Sequence, residues 1–231
     1  MTGVCAFVSR VNGYTLVDLF ATMSEPLDQL QVISLSALRT DAAGGFVQGS
    51  TPGLKGWAPD VNFTSKMASL DSFVTVGGST YGDPSGPYIA NNSLMQAGFG
   101  SNSWTGTPFS PPANSIVEAE PGGRLFWRGE YDDAKTRAIS LAGFAGRIDV
   151  QGNAATSSYG AWFAHLVVAG DGPFSITMSN WNAQWNWNLQ QFSSASYVRI
   201  GDPELNTTFI VPAPSAAVVL AMAGMRRRRR P

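Results

Sequence analysis

The amino-acid sequence predicts an all-β fold, a single β-sandwich or jelly-roll-like domain with long glycine- and proline-rich loops. Three observations lead to this prediction. Apolar and polar residues alternate with a period of two in many short segments, as they do in half-buried strands. Glycine, proline, asparagine and aspartate separate these segments. Nowhere in the body do apolar residues repeat with the helical period for more than about two helical turns.

The predicted strands follow one another along the chain. The first two cover 14–21 and 30–38, with a turn at 24–28. The others cover 73–76, 115–119, 125–128, 137–142, 146–151, 160–169, 174–180, 184–192 and 197–200. Residues 77–112 are rich in glycine and proline, which predicts one or two long loops over the sandwich, with a short helix or strand at 89–97.

Two stretches of the chain resemble each other. Residues 137–151 and 164–178 each combine a strand, a glycine-containing turn and a second strand. This order is typical of β-hairpins, so we predict a hairpin in each stretch. Two copies are too few for a solenoid, which needs about three repeats.

Composition favours an extracellular protein that does not bind nucleic acid. The chain has 231 residues, of which 44% are hydrophobic and only 13% are charged, against a usual charged share of about a quarter. Five of the 15 basic residues are consecutive at the end of the chain. Without them, 10 basic residues stand against 16 acidic ones, a net charge of −6. An acidic body is poorly suited to grip phosphates.

Cysteine and histidine are too rare for most catalytic or metal chemistry. Cys5 is the single cysteine and His165 the single histidine, which excludes an internal disulfide and a two-histidine metal site. We therefore predict no cofactor and no metal ligand set. A G-x-S-x-G elbow is also missing, so we interpret His165 as a strand histidine with a hydrogen-bond partner rather than a catalytic base.

Carboxylates are the other candidates for chemistry. Glu118 and Glu120 lie two apart on a predicted strand, and further acids cluster at 130–133. Paired carboxylates can cleave glycosidic bonds, but no glycosidase motif accompanies these pairs, and we predict that the protein is not an enzyme. Oxygen-rich loops at 60–62, 132–133 and Asp171 leave a structural calcium ion as an alternative, although none matches a known calcium-loop pattern.

The end of the chain carries a composite signal. Val211, Pro212, Ala213 and Pro214 form a short proline motif, and residues 216–225 are apolar apart from a glycine. A basic cluster follows, made of Arg226, Arg227, Arg228, Arg229 and Arg230. Together these features resemble the PEP-CTERM sorting signal of exported bacterial proteins. The resemblance implies that an exosortase-type membrane protease processes the tail. Alanine at position 213 stands where the family usually has glutamate.

Physical arguments give the tail a similar role. A bilayer-spanning helix needs about 20 apolar residues, and residues 215–225 number only 11. Such a segment forms a short apolar helix that reaches across a bilayer only if the arginines snorkel and the bilayer thins. Arginines beside an apolar segment prefer the cytoplasmic side, so the body would lie outside. The alternative is a basic arm that binds nucleic acid or nothing.

The start of the chain is weaker as an export signal. Residues 1–13 lack a basic n-region and a full apolar h-region. We interpret 1–13 as the remnant of a signal region, with cleavage before Tyr14 and a true start upstream. The β-sandwich body then covers 14–210, and the sorting tail covers 211–231.

Three short motifs in the body strengthen the resemblance. They are DLFA at 18–21, GGFVQ at 44–48 and DSFVTVG at 71–77, and they are similar to planctomycete-type PEP-CTERM surface proteins. This resemblance implies a secreted β-rich module without a known catalytic site.

A tryptophan-rich segment is the best candidate for ligand binding in the body. Within 179–191, the odd positions from 181 to 189 carry aromatic or apolar side chains and the even positions from 180 to 190 carry amides. A strand sends alternate side chains to opposite faces. Aromatic rings stack on sugars and amides bond to their hydroxyls. The candidate sugar-binding residues are Trp181, Trp185, Trp187, Asn186 and Asn188. The alternative is a core strand with buried tryptophans and solvated amides.

These observations predict an exported, non-enzymatic protein of the cell envelope or extracellular matrix. Its expected partner is an exosortase-type membrane protease, and its tail would anchor it transiently to the membrane. The alternative is an extracellular carbohydrate-binding module or carbohydrate-active enzyme, with a polysaccharide as the ligand.

Overall fold

The prediction of an all-β fold is confirmed. The computed structural model describes residues 3–26, 28–47, 70–74, 94–97, 116–118, 125–128, 138–142, 147–148, 158–186 and 198–214. The strands of this part are β1 (Gly3–Val11), β2 (Tyr14–Met23), β3 (Gln29–Leu35), β4 (Ala37–Thr40), β5 (Phe73–Val74), β6 (Leu94–Ala97), β7 (Ile116–Glu118), β8 (Leu125–Arg128), β9 (Ile139–Ser140), β10 (Arg147–Ile148), β11 (Tyr159–Ala169), β12 (Phe174–Asn186) and β13 (Val198–Val211).

The strands form two antiparallel sheets. In the first sheet the order is β10-β1-β2-β11-β5, and β9 also pairs with β11. In the second the order is β6-β8-β3-β12-β4-β7, and β13 runs along the other side of β12. Strands β3 and β4 therefore follow each other along one side of β12.

The core lies between the two sheets. Alternate residues of β2, Val17, Leu19 and Ala21, pack in one cluster with β3 and β12 residues of the second sheet. Those partners include Leu30, Ile33, Leu35, Ile176, Met178 and Trp181. Because strand side chains alternate between faces, this shared cluster makes the fold a two-layer sandwich.

The first strand of the sandwich is one that the sequence analysis left out of the body. We expected residues 1–13 to be a signal remnant, yet Gly3–Val11 pairs with β2 along its whole length. Val4 and Ala6 enter the core between the sheets, and Cys5 and Phe7 are buried on the other face. The cause is an Asn-Gly turn at Asn12 and Gly13, which closes a β-hairpin.

A substitution at Gly13 tests the importance of that turn. Its φ of +81° follows a φ of +52° at Asn12, and residues with a side chain adopt such angles at a cost. We expect Gly13→Ala to lower the free energy of unfolding by about 1 kcal/mol, because a residue with a Cβ is strained in the left-handed region, measured by urea denaturation. An added Cβ at position 13 meets no atom within 4 Å, so the effect would come from the backbone alone.

Gly172→Ala is the matched control for this substitution. Its added Cβ also meets no atom within 4 Å, and its φ is not in the left-handed range. We expect a change of at most about 0.5 kcal/mol there. Equal losses at the two positions would contradict the proposed role of the Asn12–Gly13 turn.

The two predicted hairpins at 137–151 and 164–178 are wrong. Strand β11 belongs to the first sheet and β12 to the second, so the turn after Ala169 crosses between sheets. Likewise β9 pairs with β11 whereas β10 pairs with β1. The physical reason is that β11 and β12 each have neighbours on both sides already, which leaves neither a free edge for the other.

Strand β12, at the centre of the second sheet, contains an irregularity. The predicted strand 174–180 and the first part of the predicted strand 184–192 are joined in β12, while 187–192 lie outside the described residues. The pairing with β13 shifts on either side of Trp181. Asn180 has a φ of +49°, and its side-chain amide donates to Ser36 Oγ at 3.1 Å. Ser36 lies in the break between β3 and β4 and donates its N–H to the Ser179 carbonyl at 2.9 Å. The predicted strand 30–38 is interrupted there because it faces this bulge.

Several predicted features lie outside the described residues. These include most of the loops at 77–112, of which the structure describes only the β6 strand, and the apolar helix at 216–225. In the described part of the chain, no helix is long and apolar enough to cross a membrane.

Candidate functional site

The start of the proline motif at 211–214 is attached to the sandwich. Val211 is the last residue of β13, lies opposite Phe174 of β12 and has no exposed surface. Pro212 and Ala213 are half-buried, and Pro214 is exposed. We expected the tail to leave the body at Val211, but the ladder with β12 includes this residue. The five arginines, Arg226 to Arg230, lie outside the described residues.

A side chain from the first sheet reaches the same point. The Arg10 guanidinium, near the end of β1, donates a hydrogen bond to the Pro212 carbonyl. The adjoining turn of the β1–β2 hairpin is itself anchored, because Gly170 N–H donates to the Gly13 carbonyl at 2.7 Å. One corner of the sandwich therefore brings together Arg10, Gly13, Gly170, Phe174 and Pro212.

The tryptophan segment is placed in part. Trp181 is only 2% exposed, and its indole N–H donates to Thr207 Oγ1 at 2.7 Å. Asn182 and Ala183 are buried as well. Trp185 and Asn186 lie opposite Leu30 and Gln29 of β3, but their side chains, like residues Trp187 and Asn188, are outside the described part.

The strict alternation that we predicted for this segment is interrupted. The bulge at 179–182 brings Trp181, Asn182 and Ala183 into buried positions one after another. In this arrangement the Trp181 ring packs in the core and offers no face to a sugar. The Asn182 side-chain nitrogen is buried and finds no hydrogen-bond acceptor within the described structure.

The only histidine belongs to a buried polar cluster on the face of the first sheet that points away from the second. His165 lies opposite Asp18 across the β11–β2 pair, with 2.7 Å between His165 Nδ1 and Asp18 Oδ1. The same oxygen accepts a hydrogen bond from the Trp162 indole at 3.0 Å. His165 has no exposed surface and Asp18 is 1% exposed. One carboxyl oxygen of Asp18 therefore contacts both the Trp162 N–H and His165 Nδ1 in a buried setting.

The Phe73 ring packs against both rings of this cluster. Phe73 of β5 lies edge-on to Trp162, with ring centroids 5.5 Å apart, and tilted against His165 at 5.1 Å. Before it in the chain, Ser72 Oγ accepts from the Val167 N–H at 2.8 Å and lies 3.2 Å from the Val167 carbonyl. The Ser72 hydroxyl is thus bonded to the β11 backbone at Val167.

The cluster contains an Asp–His pair like that of hydrolases, but a substrate cannot reach it. An Asp that orients a histidine through Nδ1 is the arrangement used in hydrolases. A catalytic base must also reach a proton on a substrate, whereas both members are buried here. Ser72, the serine beside them, is engaged with the β11 backbone. The geometry accounts for Asp18, His165 and Trp162 as a satisfied polar network within the protein.

Sequence analysis identified His165 but missed Asp18. The two residues are 147 positions apart, and nothing in one sequence links them. A signal did exist: Asp18 interrupts an apolar strand with Val17 and Leu19 on either side, and a carboxyl group buried there needs donors. Elsewhere in the described ranges, no three His, Cys, Asp or Glu residues are grouped so that they could hold a metal ion. Glu120, the acids at 130–133 and the oxygen-rich loop at 60–62 lie outside those ranges.

Comparisons with known proteins do not identify a relative. No family model matches the sequence, and neither the curated proteins nor the solved structures gave a significant match.

Proposed function

We propose that this chain is an exported, non-enzymatic protein of the cell envelope or extracellular matrix, processed by an exosortase-type membrane protease. One observation carries the proposal. The proline motif begins at the last residue of β13, and a short apolar segment and five consecutive arginines follow it. In this proposal the sandwich is the cargo and the tail is its address.

The chemistry of the tail supports a transient anchor. The 11 residues at 215–225 are too few for a comfortable span of about 30 Å of hydrocarbon. Arginines that follow such a segment are held on the cytoplasmic side. The body would then lie on the outer surface, and the tail alone would hold it there until the protease cuts the chain.

The body surface is compatible with this location. Two hydrogen bonds on the exposed surface of the second sheet join uncharged groups. The hydroxyls of Thr177 and Thr208 are 2.9 Å apart, and the Asn180 N–H donates to Asn206 Oδ1 at 2.9 Å. These pairs agree with the low charged fraction of 13%. We do not extend the proposal to polysaccharide binding, because Trp181, whose side chain is described, is buried.

Processing in a host that carries an exosortase-type protease tests the proposal. We expect the intact chain to be exported and to lose its tail, which mass spectrometry of the mature protein would show. Replacing all five arginines, Arg226 to Arg230, with glutamine should prevent correct anchoring and processing. The matched variant with five lysines keeps the charge and should still be processed. An unprocessed intact chain, or normal maturation of the glutamine variant, would argue against a sorting signal.

The tail should contribute little to folding. We expect deletion of 216–231 to change the free energy of unfolding by no more than about 0.5 kcal/mol, the usual range away from structural features. The deletion keeps Val211 and Pro212, which contact the sandwich. Urea denaturation of the intact and shortened chains measures the difference. A loss of several kcal/mol would mean that the tail is part of the fold.

A further inference from the structure

We propose that the folded body determines where the tail is cut. The paired end of β13 and Arg10 hold Val211 and Pro212, so the hydrolysed bond lies after Pro212. This inference rests on the proposed function. In the reaction, water adds across one peptide bond, leaving a carboxyl group on the body and an amine on the released tail. Arg10 is a positioning residue in this scheme and takes no part in the chemistry.

The end of β13 is held by pairing and burial. Val211 lies opposite Phe174, and Phe209 lies opposite Ile176, with both β13 side chains fully buried. Proteases cut segments that are exposed and able to unfold locally. Removing Val211 from the sheet would expose its side chain and break the end of the ladder. Bonds within β13 are therefore protected as long as the sandwich is folded.

The ladder with β12 does not hold Pro212, so a second contact is needed to fix this residue. Proline has no N–H, so it cannot continue the ladder with β12. The Arg10 guanidinium instead binds the Pro212 carbonyl from the first sheet. Arg10 is itself held in place, because its hairpin turn is bonded to Gly170 at the start of the β11–β12 crossover. The hold thus extends one residue past the strand, and the chain is exposed at Pro214.

Local hydrogen exchange in the full-length protein tests the role of Arg10 directly. The observed amides are Ile210 and Val211, one of which the alternating antiparallel ladder directs towards β12. We expect Arg10→Gln to speed exchange of that protected amide by about fivefold, since a hydrogen bond from a charged donor is lost. Core amides of β2 should keep their rates. The role of Arg10 would be overturned if exchange became faster at all amides alike, or if the rates at Ile210 and Val211 did not change.

Two further variants serve as controls. Arg10→Lys retains a cationic donor and should restore much of the protection at the end of β13. Arg39→Gln makes the same change at another exposed strand position and should leave Ile210 and Val211 unaffected. If Arg39→Gln had the same effect as Arg10→Gln, the loss of a surface charge would explain the result, and the inference would be wrong.

The C-terminus of the processed protein tests the cut position. In the host with the sorting protease, mass spectrometry should find mature chains that end at Pro212 or beyond. Arg10→Gln should increase the rate of processing about twofold to fivefold, because the same hydrogen bond is lost. Mature chains that end before Val211 would overturn the inference. If no variant is processed at all, the proposed function fails, whereas the exchange experiment still decides whether Arg10 holds Pro212.

Discussion

Replacing Asp18 with alanine should lower the free energy of unfolding by about 4 kcal/mol, the range seen when one partner of a buried polar pair is removed. The Asp18 carboxyl accepts from the Trp162 indole and lies 2.7 Å from His165 Nδ1. Alanine would leave the buried Trp162 N–H and His165 Nδ1 without this partner. Urea denaturation measures the loss. Asp18→Asn, which keeps one oxygen, should be less damaging.

Asp41→Ala is the matched control for Asp18→Ala. Its carboxyl also accepts two hydrogen bonds, from the N–H and the hydroxyl of Ser175, at 2.6 and 2.9 Å, but it is exposed. Water can replace Asp41, so we expect a loss of only about 1 kcal/mol. Similar losses at the two positions would show that burial does not determine the importance of the Asp18 cluster.

Replacing Trp181 with alanine should also cost about 4 kcal/mol, as large aromatic deletions in cores do. The ring belongs to the core cluster that also contains Ile33 and Met178, and its N–H is bonded to Thr207. Trp181→Phe keeps most of the apolar volume and should cost less. Thr207→Val, which removes the acceptor but keeps the shape, should cost about 1–2 kcal/mol.

The Trp181 variants also distinguish the two interpretations of the tryptophan segment. If Trp181 is a core residue, Trp181→Ala lowers stability and any effect on glycan binding follows unfolding. A Trp181→Ala protein with unchanged stability and lost binding on a glycan array would instead assign this residue to a surface site. Thermal denaturation and the array on the same preparations separate these outcomes.

The first strand illustrates a local signal that was present but not used. An Asn-Gly pair between alternating apolar residues is the strongest short-range hairpin signal, and 11–14 reads Val-Asn-Gly-Tyr. Interpreting 1–13 as a signal remnant hid this pattern. The strand Gly3–Val11 could therefore have been predicted from sequence, along with the buried positions Val4 and Ala6.

The break at Ser36 illustrates a feature that could not be predicted. Residues 30–38 have the alternation of one continuous strand, yet β3 ends at Leu35 and β4 begins at Ala37. The interruption comes from the bulge at Asn180 on the neighbouring strand, 144 residues away. Local propensity contains no information about such a partner.

The all-β class and the positions of most strands follow from the sequence, because a period of two and turn residues act locally along the chain. The order of strands does not follow, and neither does the crossing after Ala169, since both depend on which edges other strands have already occupied. The pairing of Asp18 with His165 and the contact of Arg10 with Pro212 join residues that are 147 and 202 positions apart. Only the folding of the two sheets brings these groups within hydrogen-bond distance, because loop closure and burial are properties of the whole chain.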